Sequence, residues 1–524
     1  MSSANTIASA GEAIDEAGGA VSSPAEAAIE GGPECRSLKS LLLPNATTAG
    51  LISIITVLTY LPTMLGAYGI SDDLFDLLTS TRDNTSLPNV AISGGRPLSG
   101  LVQEFALSLA TDVASLRWLR VVGVLGLVAT GIIGATIARS FGARTTVQVL
   151  VGLGIVAMPS SQVIASWAVL FPISWGAALA LATGFGLAAL TVDSVRTRAW
   201  WIAVGVVAVM TVLGLANYQP SAMAFAPGLA LALMDSADTI RVRVHRAAAG
   251  IAGAAVGGVA YLVLSGILVR ATGVTADTRS TLEIPGADKL HWFVTKVLPR
   301  SLDPLSFEPR PAVAIIVLGL IVAGVAFRAD GTRDRVLAAV LVLIALVVSY
   351  LPTLMVQDRW PSARSRLAVD LTVALFAGIA LQTLVTRVQQ RAGATRAVVA
   401  VWATMMALFV IFASWRVTTY YVDPQTREFA AASRAIDALH LQPGDSVVVV
   451  AADWRHPLAR THDLDEFGFP SMATAWGPVA LIQLEMLHDG FSPLTDITVV
   501  NDASEVPADA RIVLDFSALY ATLR

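Results

Sequence analysis

TAGLISIITVLTYLPTMLGA, residues 48–67, runs for twenty positions without a charged side chain. A spanning helix needs about 20 predominantly apolar residues, so this run reads as a membrane span. The whole chain agrees with it. Of 524 residues, 55% are hydrophobic and 14% charged, and the mean hydropathy is +0.67; a soluble domain carries about 25% charged residues. The composition is that of a polytopic α-helical membrane protein. Eleven apolar stretches follow one another: 48–67, 118–138, 145–164, 173–192, 200–216, 220–235, 247–269, 312–327, 336–351, 367–386 and 397–415. Pro159 and Pro172 interrupt the third and fourth, which leaves room for a kinked or re-entrant helix there.

The charges orient these spans. With the N-terminus cytoplasmic, every short inner loop bears arginine: Arg139 and Arg144; Arg196 and Arg198; Arg241, Arg243 and Arg246; Arg328, Arg333 and Arg335; Arg387, Arg391 and Arg396. Five successive loops then obey the positive-inside bias, and one miscounted helix would break the alternation. The longer segments 68–117, 270–311 and 352–366 fall outside, as does everything after residue 415. Residues 1–40 are rich in Ala, Gly, Ser and Glu and read as a disordered cytoplasmic tail. They lack the basic start and apolar core of a cleavable signal, so the first span itself drives insertion. The single cysteine, Cys35, excludes an intrachain disulfide and a cysteine metal site. A net charge of −4 without any basic block excludes a nucleic-acid partner.

Past residue 415 the apolar runs shorten. Glu428–Leu439 fits an amphipathic helix, and Ser446–Ala451, Ile497–Val500 and Arg511–Leu514 fit buried strands. The expected division is therefore a tail (1–40), a membrane module (41–415) and a small extracytoplasmic α/β domain (416–524). That last domain has no glycine-rich nucleotide turn, and it reads as a structural or glycan-contacting cap.

The outer loop 69–100, GISDDLFDLLTSTRDNTSLPNVAISGGRPLSG, concentrates the chemistry. Asp72 and Asp73 follow the first span closely. A carboxylate there can take the proton of an attacking hydroxyl, while its neighbour orients the acceptor or holds a divalent cation. Asp76 and Asp83 read as solvated loop acids. Arg96 sits in a Gly-Gly-Arg-Pro-Leu turn able to aim its guanidinium inward at a phosphate. Leu98, Leu101, Val102, Phe105, Leu109 and Leu116 then form a helical apolar stripe in the membrane interface, with Glu104 and Asp112 on its polar side. A second interfacial helix is expected around Leu290–Val297. Tyr218 and Gln219 mark the outer end of the fifth span, where capping or an aromatic belt also explains them. Arg359, Arg364 and Arg366 crowd one outer loop against the charge bias, which suits lipid phosphate. No histidine cluster has metal-ligand spacing.

An acidic pair just after the first span, followed by Gly-Arg-Pro-Leu (95–98) and an interfacial helix, resembles the GT-C superfamily of membrane glycosyltransferases. More narrowly, with Tyr218-Gln219 at a later outer helix end, it is similar to the Gtr-type O-antigen glucosyltransferases. The resemblance spans roughly residues 50–390. It implies transfer of a sugar from a polyprenyl-phosphate donor to a cell-envelope glycan or glycolipid at the outer face of the plasma membrane. Asp72 or Asp73 would be the general base, Arg96, Arg359, Arg364 and Arg366 would stabilise the phosphate, and Tyr218 and Gln219 would contact substrate. The C-terminal region departs from that family's pattern. A transporter or flippase of lipid-linked sugars is the competing class; it calls for ionisable residues deep within spans and an internal repeat, neither of which the sequence displays.

Overall fold

A computed structural model describes residues 44–82, 86–189, 194–234, 238–277, 281–329, 331–388, 394–453, 466–494 and 496–522. The tail 1–40 and Asp83 lie outside them. The chain is mostly helical. Among the described residues, seven helices are long and apolar enough to cross a membrane: Ala46–Leu65, Val113–Ser140, Ala168–Ala189, Arg198–Asn217, Ile240–Thr272, Arg364–Arg387 and Ala397–Asp437. Thr145–Ala157 and Pro159–Ser166 make an eighth if taken as one span, bent by 59° where Pro159 starts the second piece.

Three other expected stretches form shorter or divided helices. The stretch 220–235 is split into Gln219–Ala222 and the nine-residue Phe225–Leu233, each with proline near its start. Pro311–Ala326 and Thr332–Val348 have only 16 and 17 residues. Pro172, by contrast, breaks nothing: it stands in the first turn of Phe171–Gly186, where its missing N–H is not needed.

The outward side chains of these helices are apolar, as with Leu58, Ile251, Val259, Ile316 and Leu408. An apolar rim of this kind belongs against lipid rather than water. Helix meets helix through small residues. Along Ile240–Thr272, Gly253 and Gly257 face Arg198–Asn217; a Cβ on Gly253 would stand 2.8 Å from the Val204 carbonyl oxygen, and one on Gly257 2.7 Å from Thr211 Cβ. This is the small-xxx-small packing of membrane helices. It brings Tyr261 beside the end of the neighbouring helix, where Tyr218 and Gln219 lie.

The two ends of the bundle differ. Gly142, Arg243, Arg328 and Arg387, from four of the five arginine-bearing loops, line one cavity and so share one end. The helices Arg117–Ser140 and Leu367–Val388 run from the Asp72 end to that arginine end.

Ala394–Val417 continues through a π-turn at Thr418–Val422 into Asp423–Asp437. The strands follow as read from the sequence: β1 (Ser446–Val450), β2 (Asp496–Val500) and β3 (Ile512–Asp515), parallel in the order β2-β1-β3. Helix Gly477–His488 connects β1 to β2, and it also packs against helix Ser71–Arg82 of the first loop.

Replacing Gly257 by leucine is expected to wedge the two glycine-packed helices apart. We predict a loss of about 1–3 kcal/mol, read as a lower thermal midpoint of the detergent-solubilised protein; an unchanged midpoint would show that the close approach does not matter.

Candidate functional site

Helix Ser71–Arg82 separates the two adjacent aspartates. Neighbouring residues on a helix diverge by about 100°, so Asp72 and Asp73 cannot face the same way. Asp73, Leu77 and Ser80 recur at i, i+4 and i+7 and are buried. The Asp73 carboxylate accepts the backbone N–H of Val169 (3.0 Å), Ile70 (3.2 Å) and Ala168 (3.3 Å). Arg120 approaches it to 4.0 Å, both side chains being wholly buried. The Arg120 guanidinium also donates to the carbonyl oxygens of Gly66 (3.0 Å), Thr63 and Tyr68, and lies 3.7 Å over the Tyr68 ring. Burial pushes the Asp73 carboxyl up, and Arg120 and the three N–H groups pull it back. Asp73 thus ties the loop to the bundle, with its carboxylate wholly buried.

Asp72 faces outward, its side chain 35% exposed. Arg364 stands 3.7 Å away, and the Trp476 indole N–H donates to the carboxylate at 3.2 Å. Arg364 is itself fixed: it pairs with Glu466 at 3.3 Å and lies 4.9 Å over the buried Trp167 ring. Glu466 is almost wholly buried and accepts the backbone N–H groups of Ala363 and Arg364. Ser471 donates to the Gly69 carbonyl at 3.4 Å. The C-terminal segment, which the sequence reading left without chemistry, therefore touches the loop 69–100 directly.

The Gly-Gly-Arg-Pro-Leu turn meets Tyr218-Gln219. Gly95 has φ of +69°, a conformation that favours glycine, and Pro97 opens the next helix. The Gly95 carbonyl accepts from Gln219 Nε2 (2.7 Å) and from the Tyr261 hydroxyl (2.6 Å). The Arg96 guanidinium lies 5.9 Å from the Tyr218 ring centre. Asp76, one turn after Asp72, sits within the fields of Asp72, Asp73, Arg96 and Glu104. Asp76 and Glu104 are not the freely solvated acids expected: both are half-buried, and Ser80 donates to Glu104 at 3.3 Å. Burial pushes the Asp76 carboxyl well above the usual range; Asp72 and Asp73 add to this and Arg96 opposes it.

The four arginines expected at one phosphate do not converge. Arg359 is exposed on its loop, and Arg366 is buried, donating to the Ser362 carbonyl and acting on Asp370. Arg364 is at Asp72 and Arg96 at Tyr218. Among the described residues no group of three or more His, Cys, Asp or Glu is arranged to hold a metal ion. A cation shared by Asp72 and Asp73 does not fit, because Asp73 spends its carboxylate on backbone N–H groups.

No protein-family model matches the chain, and no curated protein matches it. Among solved structures it is similar to the archaeal oligosaccharyltransferase AglB from Archaeoglobus fulgidus, in a complex with an inhibitory peptide and a dolichol-phosphate. The identity is 14% and the TM-score 0.28, over 82% of this chain and 52% of that chain. The chain thus spans about half the length of AglB, and a likeness of this size positions none of its residues.

Sequence reasoning passed over Arg120, Glu466, Trp476 and Tyr261. Arg120 was legible as a cation inside the expected span 118–138. The others join the site only through long-range packing. Two measurements follow. Asp73→Ala strands Arg120 in the interior and should cost about 3–5 kcal/mol of stability, seen as a lower thermal midpoint. For Asp76, the folded chain holds the proton more tightly than the unfolded one, so stability should fall as pH rises from about 4 towards the raised folded value. Asp76→Asn should flatten that slope; an identical slope in the variant would remove Asp76 as its source.

Proposed function

We propose that the chain is a membrane glycosyltransferase of GT-C type that moves a sugar from a polyprenyl-phosphate donor to a cell-envelope glycan or glycolipid at the outer face. The observation that carries this reading is the half-exposed Asp72 carboxylate held between Arg364 and Trp476. It stands in the same loop as Arg96, at the end of the bundle away from the arginine-rich loops. With those loops cytoplasmic, as the positive-inside bias requires, Asp72 and the C-terminal domain are extracytoplasmic.

Asp72 is the general base. It accepts the proton of the acceptor hydroxyl as that oxygen attacks the anomeric carbon, and the bond from that carbon to the phosphate oxygen breaks. The lipid phosphate leaves with its negative charge, for which Arg96, in the same loop, supplies the guanidinium. A single displacement of this kind inverts the anomeric centre, as with a base of comparable role in inverting glycosidases. Arg364 lies between Asp72 and Glu466, so we assign it to holding the base. Arg359 remains with donor lipid at the rim, and Tyr218 and Gln219 shape the Arg96 turn. Asp73 and Arg366 are assigned structural positions.

One observation favours the flippase class. Asp370 is buried in a span, accepting the Ser160 N–H at 3.3 Å where the helix 145–166 is broken. Intramembrane ionisable groups and broken helices accompany transport paths. Asp370 sits in the first turn of its helix, however, near the Asp72 end and away from midplane.

The purified protein, reconstituted with a short-chain polyprenyl-phosphate sugar, separates the two. We expect transfer by the wild type, reduced about 10²–10⁴-fold in Asp72→Asn, and retained in Asp76→Asn. Undiminished transfer in Asp72→Asn removes this carboxylate from the mechanism; translocation without transfer in the wild type selects the flippase.

A further inference from the structure

The end of the bundle opposite Asp72 encloses a cavity of about 520 Å³, within the roughly 300–1,000 Å³ of small-molecule sites. Its lining is divided. Among the described residues, Arg243, Arg328 and Arg387 supply three guanidiniums against one lining carboxylate, that of Asp334, and Met234 and Val325 contribute apolar wall.

The guanidiniums are fixed in place. Arg328 donates to the Phe141 carbonyl at 2.8 Å and lies 4.7 Å over that residue's ring. Arg387 donates to the Phe327 carbonyl at 2.8 Å. Arg243 pairs with Asp334 at 2.9 Å; it is 8% exposed, and its Nε has no hydrogen-bond partner among the described residues. Arg328 and Arg387 remain exposed despite being tethered. Donors held this way lose little further freedom when an anion binds, which favours affinity.

We infer that this cavity binds the phosphate of an anionic phospholipid headgroup. Guanidinium forks match phosphate oxygens, and basic pockets between membrane helices on this side take acidic headgroups. The apolar wall suits a phosphate attached to an acyl body, and the cavity lies at the ends of membrane-type helices. It is distinct from the Asp72 site: the 24-residue helix Arg117–Ser140 between them is about 36 Å long. The inference stands whether or not the chain transfers sugar.

The test measures lipid retention by the full-length protein in neutral detergent, using native mass spectrometry with phosphatidylglycerol, phosphatidylcholine or inorganic phosphate added. We expect selective retention of phosphatidylglycerol, lowered about fivefold for each arginine removed in Arg328→Gln and Arg387→Gln. Both positions are exposed, and an unchanged circular dichroism spectrum verifies that each variant is folded. Equal retention of phosphatidylcholine, or undiminished phosphatidylglycerol in both folded variants, overturns the site. Inorganic phosphate displacing the lipid at equimolar concentration overturns the lipid assignment in favour of a free anion.

Discussion

The buried approach of Arg120 to Asp73 is the constraint on which the Asp72 end of the bundle depends. Two charges are removed from solvent, and such a pair persists only when its remaining polar groups are satisfied. Here three backbone N–H groups serve the carboxylate, and three carbonyl oxygens and the Tyr68 ring serve the guanidinium. Those partners come from residues 63–70 and from the start of the span at 168. One ion pair therefore fixes the exit of the first span, the angle of helix Ser71–Arg82, and through the helix phase the outward direction of Asp72.

A second set of contacts closes over this frame from the C-terminal side. Glu466 holds Arg364, Trp476 reaches Asp72, and helix Gly477–His488 lies on helix Ser71–Arg82. In the proposed reaction these groups limit the freedom of the base, which is how positioning contributes to rate. The Arg96 turn is held separately, by the Gly95 carbonyl between Gln219 and Tyr261, and depends on the glycine-packed pair of spans.

Much of this was legible in the residues. Charge-free runs marked most spans, because lipid leaves the backbone no alternative to helix. The valine-rich run 446–450 and its partners marked the sheet. Glycine before Arg96 and proline after it marked a turn. Composition does not tell a spanning run from a bundle-buried one where the apolar run is short or split by proline, as at 220–235, 312–327 and 336–351, since burial within a bundle selects for the same side chains as lipid does. The two aspartates were distinguishable in principle: Asp73 shares its helical phase with Leu77 and Ser80, and Asp72 shares its phase with Asp76. Glu466 and Trp476 lie roughly 400 residues from Asp72 in sequence, and no local pattern links such positions.

The central claim is that Asp72 and Arg96 serve one reacting centre, with Asp73 behind them as anchor. The most direct measurement is a density map of the protein with a bound polyprenyl-phosphonate sugar, whose carbon–phosphorus linkage cannot be transferred. The account predicts the phosphonate within hydrogen-bond reach of Arg96 and the sugar's anomeric carbon beside Asp72. A phosphonate seated away from Arg96, with Asp72 still turned to Arg364 and no sugar near it, would contradict it.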